Sequence, residues 1–186
     1  MVKLNWTVFI SQTGSEIMNI SKESKIYPKV IYTNNKQKVS KEVEDFFNDA
    51  EVLIKEIPFK PTKEDYLQEE ILDSKLITLH GYLRIIPAEF LEKYEGKILN
   101  GHPALINKYP ELKGFNMQEK AFTEKEKYPF IGSVIHKVTA KVDDGEVYVT
   151  SVIDNDVTSI DDAYNKLKDT SFDTWIKFFK EGWKLV

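Results

Sequence analysis

The chain has 186 residues, 41% hydrophobic and 30% charged, with a formal net charge of −4 and no cysteine. That length and balance suit one globular domain, residues 1–186, with a sizeable core. The acidic balance argues against nucleic acid as the main partner, and the missing thiols exclude disulfides, thiolate metal sites and cysteine nucleophiles while fitting a reducing cytoplasm. No apolar run reaches the roughly 18–20 residues that span a bilayer, and Met1–Trp6 has no secretory-leader pattern.

In chain order, Thr7–Ile10 is predicted as a buried strand, followed by the small-residue turn Ser11–Ser15 and a helix from about Glu16. Val30–Tyr32 is a second strand. Ser40 is placed to cap a helix carrying Val43, Phe46 and Phe47. Val52–Ile54 begins a third strand, and Thr62 with Asp65 predicts a capped helix to about Leu72. Leu76–His80 is a fourth strand, Pro87–Leu91 opens a short helix, and Ile98–Asn100 is a fifth strand. Alternating strands and helices imply an α/β domain with a mainly parallel sheet. Residues 107–130 are loop-rich. Ser133–Ala140 and Val147–Ile153 then form a hairpin about Asp144-Gly145. Ser159 to Lys180 is one amphipathic helix with Ile160, Ala163, Leu167, Phe172, Ile176 and Phe179 roughly on one face.

Asn100-Gly101-His102-Pro103 is the stretch richest in chemistry. An amide and an imidazole two residues apart at a strand end share one side, and proline halts the strand. A distant acid at Asp143-Asp144-Gly145 could complete an amide–imidazole–carboxylate set. Blander readings stand beside each: Asn100 satisfying a strand end, His102 a buried histidine on backbone, Asp143 an ordinary turn residue. His80 reads as structural or pocket-lining, and His136 as packing near the site. The three histidines show no metal-ligand spacing. Trp6, Trp175 and Trp183 read as packing residues. Arg84 reads as an ion-pair partner or a pocket border.

Ile98–Leu105 resembles the Asn-x-His-Pro-Ser-Leu signature of folate-dependent formyltransferases. Gly81–Ile86 and Lys108-Tyr109-Pro110 are similar to flanking segments of the glycinamide ribonucleotide formyltransferases. Gly132–Val138 with Asp143-Asp144-Gly145 resembles that family's Gly-x-Thr-Val-His-x-Val and Asp-x-Gly elements. Phe9-Ile10-Ser11 with Gly14-Ser15 resembles its first strand and phosphate loop. The matches run in family order from near residue 8 to near residue 180.

The resemblance implies a Rossmann-like formyltransferase fold: a mainly parallel twisted sheet flanked by helices, with a C-terminal β-hairpin and a long final helix. Residues 1–103 would form the nucleotide-binding-like half and 104–186 the folate and acceptor side. It implies a cytoplasmic enzyme, monomer or homodimer, that moves a formyl group from the co-substrate 10-formyltetrahydrofolate to a small-molecule primary amine in purine biosynthesis. No metal and no membrane are involved. Attack of the amine makes a tetrahedral oxyanion, which a positioned donor stabilises, and a group titrating near neutrality moves the protons. Asn100 would hold the formyl oxygen, His102 would stabilise the oxyanion, and Asp143 would support a charged His102. Leu83, Arg84, Ile85, Ile86, Ala140 and Val142 would bind folate. Ser11, Thr13, Gly14 and Ser15 would bind the acceptor, with Lys63 as a basic contact.

The chain also departs from the family. Gln12 and Glu16 alter the Ser-Gly-x-Gly-Ser-Asn loop, and an anion beside a phosphate is unfavourable unless it turns away. Ala104-Leu105-Ile106-Asn107 and Pro110-Glu111 replace family residues, and Lys168 stands where an acid contacts the substrate sugar. Alternatives are therefore an amino-sugar nucleotide as acceptor, a formyltetrahydrofolate hydrolase, and a non-catalytic folate- or nucleotide-binding relative.

Overall fold

The computed structural model describes residues 2–94, 96–114 and 116–182; Trp183 lies outside the described residues. The chain divides into two compact units, the first ending at Asn100 and the second beginning at Gly101.

The first unit contains β1 (Val2–Lys3), β2 (Trp6–Ile10), α1 (Ser15–Ser24), β3 (Ile26–Tyr27), β4 (Val30–Thr33), α2 (Lys41–Asp49), β5 (Leu53–Glu56), α3 (Glu69–Leu72), β6 (Leu76–His80), α4 (Ala88–Lys93) and the start of β7 (Ile98–His102). Five of these strands run parallel in the order β5-β4-β2-β6-β7, and β1 pairs with β3 in a small parallel sheet of its own. The expected parallel α/β arrangement is borne out. β2 and β6 are buried at every residue, which is why both are mostly apolar without an alternating polar face. β5 leaves Leu53 exposed, as an edge strand can.

The register sets Ile10 of β2 opposite Thr33 and His80. The loops after β2 and β6 therefore leave from the same carboxyl-end edge, where open α/β sheets bind ligands. They are tied together: the Leu83 N–H donates to Ser11 Oγ at 3.0 Å, and Ser11 Oγ donates to Asn34 Oδ1 at 2.6 Å. Ser40 caps α2 as expected, its oxygen accepting from Val43 N at 3.4 Å, with Val43 and Phe47 buried.

Residues 62–72 differ from expectation. A 3-10 turn, Glu64–Tyr66, precedes α3, and Gln68 between them is extended. Asp65 Oδ2 accepts from both the backbone N–H and the hydroxyl of Thr62. This closes a local turn that competes with a continuous helix. The break lets Tyr66 bury its ring and share a hydrogen bond with the Tyr82 hydroxyl.

The second unit holds the end of β7, α5 (Met117–Thr123), β8 (Phe130–Lys137), β9 (Val147–Asp154) and α6 (Ile160–Lys177). β8 and β9 are antiparallel, Ser133 opposite Ser151, with a bulge between Ile135 and His136. The hairpin and the long final helix are as expected. β8 stops at Lys137 rather than Ala140, because the chain turns after the bulge. The loop-rich stretch contains a 3-10 turn, Pro110–Leu112, and α5. Ser159 caps α6 by accepting from Asp162 N. α6 packs on β8, β9 and α5 through Ala163, Leu167, Trp175 and Ile176. Ile160, expected on that face, is exposed at the helix start. After Lys177 the helix continues as a π turn, Phe178–Gly182. No helix among the described residues is long and apolar enough to cross a membrane.

α6 explains the glycine in Asn100-Gly101-His102. A Cβ on Gly101 would lie 2.5 Å from Trp175 Nε1, and Trp175 is fully buried. Gly101→Ala is expected to destabilise the protein by about 1–3 kcal/mol through overpacking, read as a lower urea midpoint at unchanged m-value; an unaltered midpoint would contradict this packing.

Candidate active site

His102 is the last residue of β7 and is buried. Pro103 ends the strand, as its missing N–H requires. The His102 carbonyl accepts from Ala104 N at 2.8 Å and from Ser133 Oγ at 3.0 Å, which anchors the strand end against β8. The ring then reaches two partners. Nε2 lies 3.1 Å from the Leu112 carbonyl oxygen. Nδ1 lies 3.4 Å from Asp143 Oδ2.

Asp143 comes from the loop between β8 and β9. Its φ is +51°, a left-handed conformation that Asp tolerates better than most residues. Gly145, two residues on, has no room for a Cβ, which would collide with the Lys137 carbonyl. Lys137 N donates to Glu146 O at 2.8 Å and closes the loop. The loop turns the Asp143 side chain inward, where it is only 10% exposed. There Gly114 N donates to Oδ2 at 3.0 Å. His136, on β8, brings Nε2 to 3.5 Å from Oδ1, while its Nδ1 lies 2.9 Å from the Lys137 carbonyl.

Asp144 faces outward, paired with Lys113 and with Lys141 Nζ at 3.0 Å. The structure thus brings His102 together with Asp143, and not with its acidic neighbour. His136 was expected only to pack nearby, but it is a second imidazole on the same carboxylate. A histidine seven residues before an Asp-Asp-Gly turn, on the strand that leads into it, was the available signal.

Burial alone would raise the Asp143 carboxyl. The His136 and His102 rings and the Gly114 N–H together outweigh it and hold the group below its ordinary value of 3.8. Burial pushes His102 below its ordinary 6.5. Asp143 and the Leu112 carbonyl offset this only in part, and His136 adds to the lowering.

Asn100 belongs to the first unit, two residues upstream on β7 and opposite Leu79. In the loop after β2, Gly14 has φ +79°, and a Cβ there would press on Val43 at 3.0 Å. It stands at the N-cap of α1 with no side-chain cap. Thr13 and Ser15 share a hydroxyl contact at 3.1 Å. Glu16 is directed to His80, whose Nδ1 lies 2.8 Å from its Oε2. His80 Nε2 meets Thr78 Oγ1 at 2.9 Å, and Trp6 Nε1 donates to that oxygen at 2.7 Å. His80 thus links β6 to the first turn of α1 within the first unit. Lys63 is exposed at the start of the 3-10 turn.

Of the expected folate residues, Leu83 and Ile85 are exposed in the first unit, Ile85 at 80%, whereas Ile86 is buried in its core. Arg84 is stacked 4.2 Å over Phe59 and donates to the Phe59 and Leu83 carbonyls, so it pins a loop. In the second unit Ala140 and Val142 are exposed. Among the described residues no group of three or more His, Cys, Asp or Glu is arranged to hold a metal ion.

A histidine-bearing strand end completed by an acid from a hairpin loop is an arrangement suited to proton transfer and oxyanion support. The profile of the formyl transferase family matches residues 4–176, and the chain belongs to that family. It is 32% identical over 124 residues to phosphoribosylglycinamide formyltransferase of Haemophilus influenzae, covering 63% of this chain and 54% of that protein. The Dictyostelium discoideum phosphoribosylglycinamide formyltransferase is 31% identical over 175 residues, 80% of this chain and 82% of that one. The chain thus spans about half the length of the Haemophilus protein. Among solved structures, phosphoribosylglycinamide formyltransferase from Anaplasma phagocytophilum superposes with a TM-score of 0.80 at 22% identity, over 96% of this chain and 85% of that one. The expected formyltransferase fold is borne out.

The lowered pKa of His102 has a sign that can be measured. Below 6.5 the unfolded chain binds a proton that folded His102 resists, so stability is lost as pH falls from there. Asp143 adds a loss in the same direction below 3.8. The unfolding midpoint is expected to drop between about pH 7.5 and about pH 5, and His102→Asn to flatten that dependence. An equally steep dependence in the variant would contradict the burial effect.

Proposed function

We propose that this chain transfers the formyl group of 10-formyltetrahydrofolate to a primary amine, with glycinamide ribonucleotide as acceptor, in cytoplasmic purine biosynthesis. The observation that carries the reading is the contact between buried His102 and the inward-turned, 10% exposed side chain of Asp143. The names of the Haemophilus and Dictyostelium relatives support the acceptor.

In this reading the attacking amine must lose a proton while negative charge gathers on the formyl oxygen. His102 takes up the proton the amine loses, donates a hydrogen bond to that oxygen from the Nε2–H that now faces the Leu112 carbonyl at 3.1 Å, and returns a proton to the folate nitrogen as its bond to the formyl carbon breaks. Asp143, ionised, supports the charge the ring then carries. Asn100, two residues earlier on the strand, is assigned as a second donor to the same oxygen. Such a donor is worth about 3–4 kcal/mol at an oxyanion.

In the first unit, Leu83 and Ile85 offer exposed apolar surface suited to the pteridine of the co-substrate. Ile86, by contrast, is buried. The uncapped N-terminus of α1, with Gly14, Thr13 and Ser15, suits the acceptor's phosphate. Glu16 does not by itself oppose this, because its carboxylate is held by His80. A second reading, another amine such as an amino-sugar nucleotide, draws support from Ser11. Its hydroxyl donates to Asn34 Oδ1 and accepts from the Leu83 N–H.

The test follows folate product absorbance with glycinamide ribonucleotide, amino-sugar nucleotides and no amine. Turnover with glycinamide ribonucleotide is expected. Turnover only with an amino-sugar nucleotide would replace the acceptor, and turnover without amine would replace transfer by hydrolysis. His102→Asn and Asp143→Asn are expected to lower kcat by about 10²–10⁴-fold in folded protein; wild-type rates in either would remove that residue from the mechanism.

A further inference from the structure

The Asp143 carboxylate has two imidazoles on it, one at each oxygen. His102 approaches Oδ2 through Nδ1, and His136 approaches Oδ1 through Nε2. The opposite nitrogen of each ring faces a backbone carbonyl: Leu112 for His102, Lys137 for His136. A carbonyl oxygen only accepts, so that nitrogen carries the proton in each ring.

This fixes what the inner nitrogens can be. If both rings are neutral, two lone pairs point at an anion. If both are charged, two buried cations with centroids 6.4 Å apart share a single carboxylate and leave a net positive charge. One extra proton between the two rings gives a neutral cluster, with a charged hydrogen bond on one side. The inner distances, 3.4 and 3.5 Å, are nearly equal and longer than charge-assisted hydrogen bonds usually are. Neither ring has captured the carboxylate.

We propose that His136 is a positioning residue for His102: the two rings share Asp143 and hold one proton between them over it. The proposal rests on the reading of His102 as the proton-bearing group of formyl transfer. His136 limits how firmly Asp143 can hold a proton on His102 and keeps that proton available for donation. The other charges close by are Asp144 and its partners Lys113 and Lys141, which already neutralise one another on the loop's outer side, and Gly114 supplies the remaining donor to the carboxylate.

The test is an imidazole ¹⁵N NMR titration of the full chain. In the wild type, His102 is expected to titrate in two steps, because its proton is shared across the carboxylate. His136→Asn keeps a donor for the Lys137 carbonyl and removes the inner nitrogen. In that variant His102 is expected to titrate in one step, its midpoint higher by roughly half a pH unit or more. The limb of the kcat/KM profile that reports His102 should move by the same amount, with KM for the acceptor unchanged.

A single-step His102 curve in the wild type would overturn the proposal. So would an unmoved His102 midpoint in the variant, or lost activity without a shifted profile. If the variant does not fold, the wild-type titration and that of Asp143→Asn, where His102 should titrate in one step, decide it. Coupled titration in a protein that turns over no acceptor would sink the proposed activity and leave the shared proton standing.

Discussion

An ionised carboxylate nearly sealed from water is the constraint on which the site depends. Burying such a group is unfavourable unless hydrogen bonds and opposite charge replace what water supplied. Asp143 has three such replacements: the Gly114 N–H and the two histidine rings. Each needs a different piece of the fold. Gly114 follows the 3-10 turn that also presents the Leu112 carbonyl to His102. His136 sits just past a β-bulge, and bulges re-aim side chains. His102 stands where proline stops a strand and Ser133 pins its carbonyl. Asp143 itself occupies a left-handed backbone position that Gly145 and the Lys137–Glu146 closure maintain.

The same economy governs the first unit. β2 and β6 are buried along their whole length, so their polar residues must find partners inside. Trp6, Thr78, His80 and Glu16 form one chain of contacts from the sheet to the first turn of α1. That chain gives the acid at the helix start a fixed partner. It explains how a carboxylate can stand where a phosphate loop would favour a neutral residue. Arg84 secures the Phe59 loop by stacking and by two carbonyl contacts.

Much of this was legible in the residues. The central strands could be read because parallel strands buried on both faces are apolar without alternation. The Ser40 cap and the Ser159 helix start were legible because caps are local chemistry. The pairing of His102 with Asp143, rather than Asp144, followed from a motif whose order and spacing resemble a known family. Three features were not legible for physical reasons. Thr62 and Asp65 look like a helix cap, and they do bond to each other, but burial of Tyr66 cuts the helix short. Ile160 keeps the helical period yet stands at the helix start, before the part of α6 packed against the sheet. His136 sits in an apolar strand and reads as packing; its spacing from Asp143-Asp144-Gly145 was the one signal, and the bulge and returning loop that carry its ring to the carboxylate depend on tertiary structure.

Carboxyl ¹³C chemical shifts of Asp143, followed through an acid titration, test the central interaction most directly. The carboxylate is expected to stay ionised past 3.8 and to protonate only at lower pH, together with changes at both histidine rings. A midpoint at or above that value, with the rings unaffected, would mean that the Gly114 N–H and the two imidazoles do not hold the charge and that the site is not built around it.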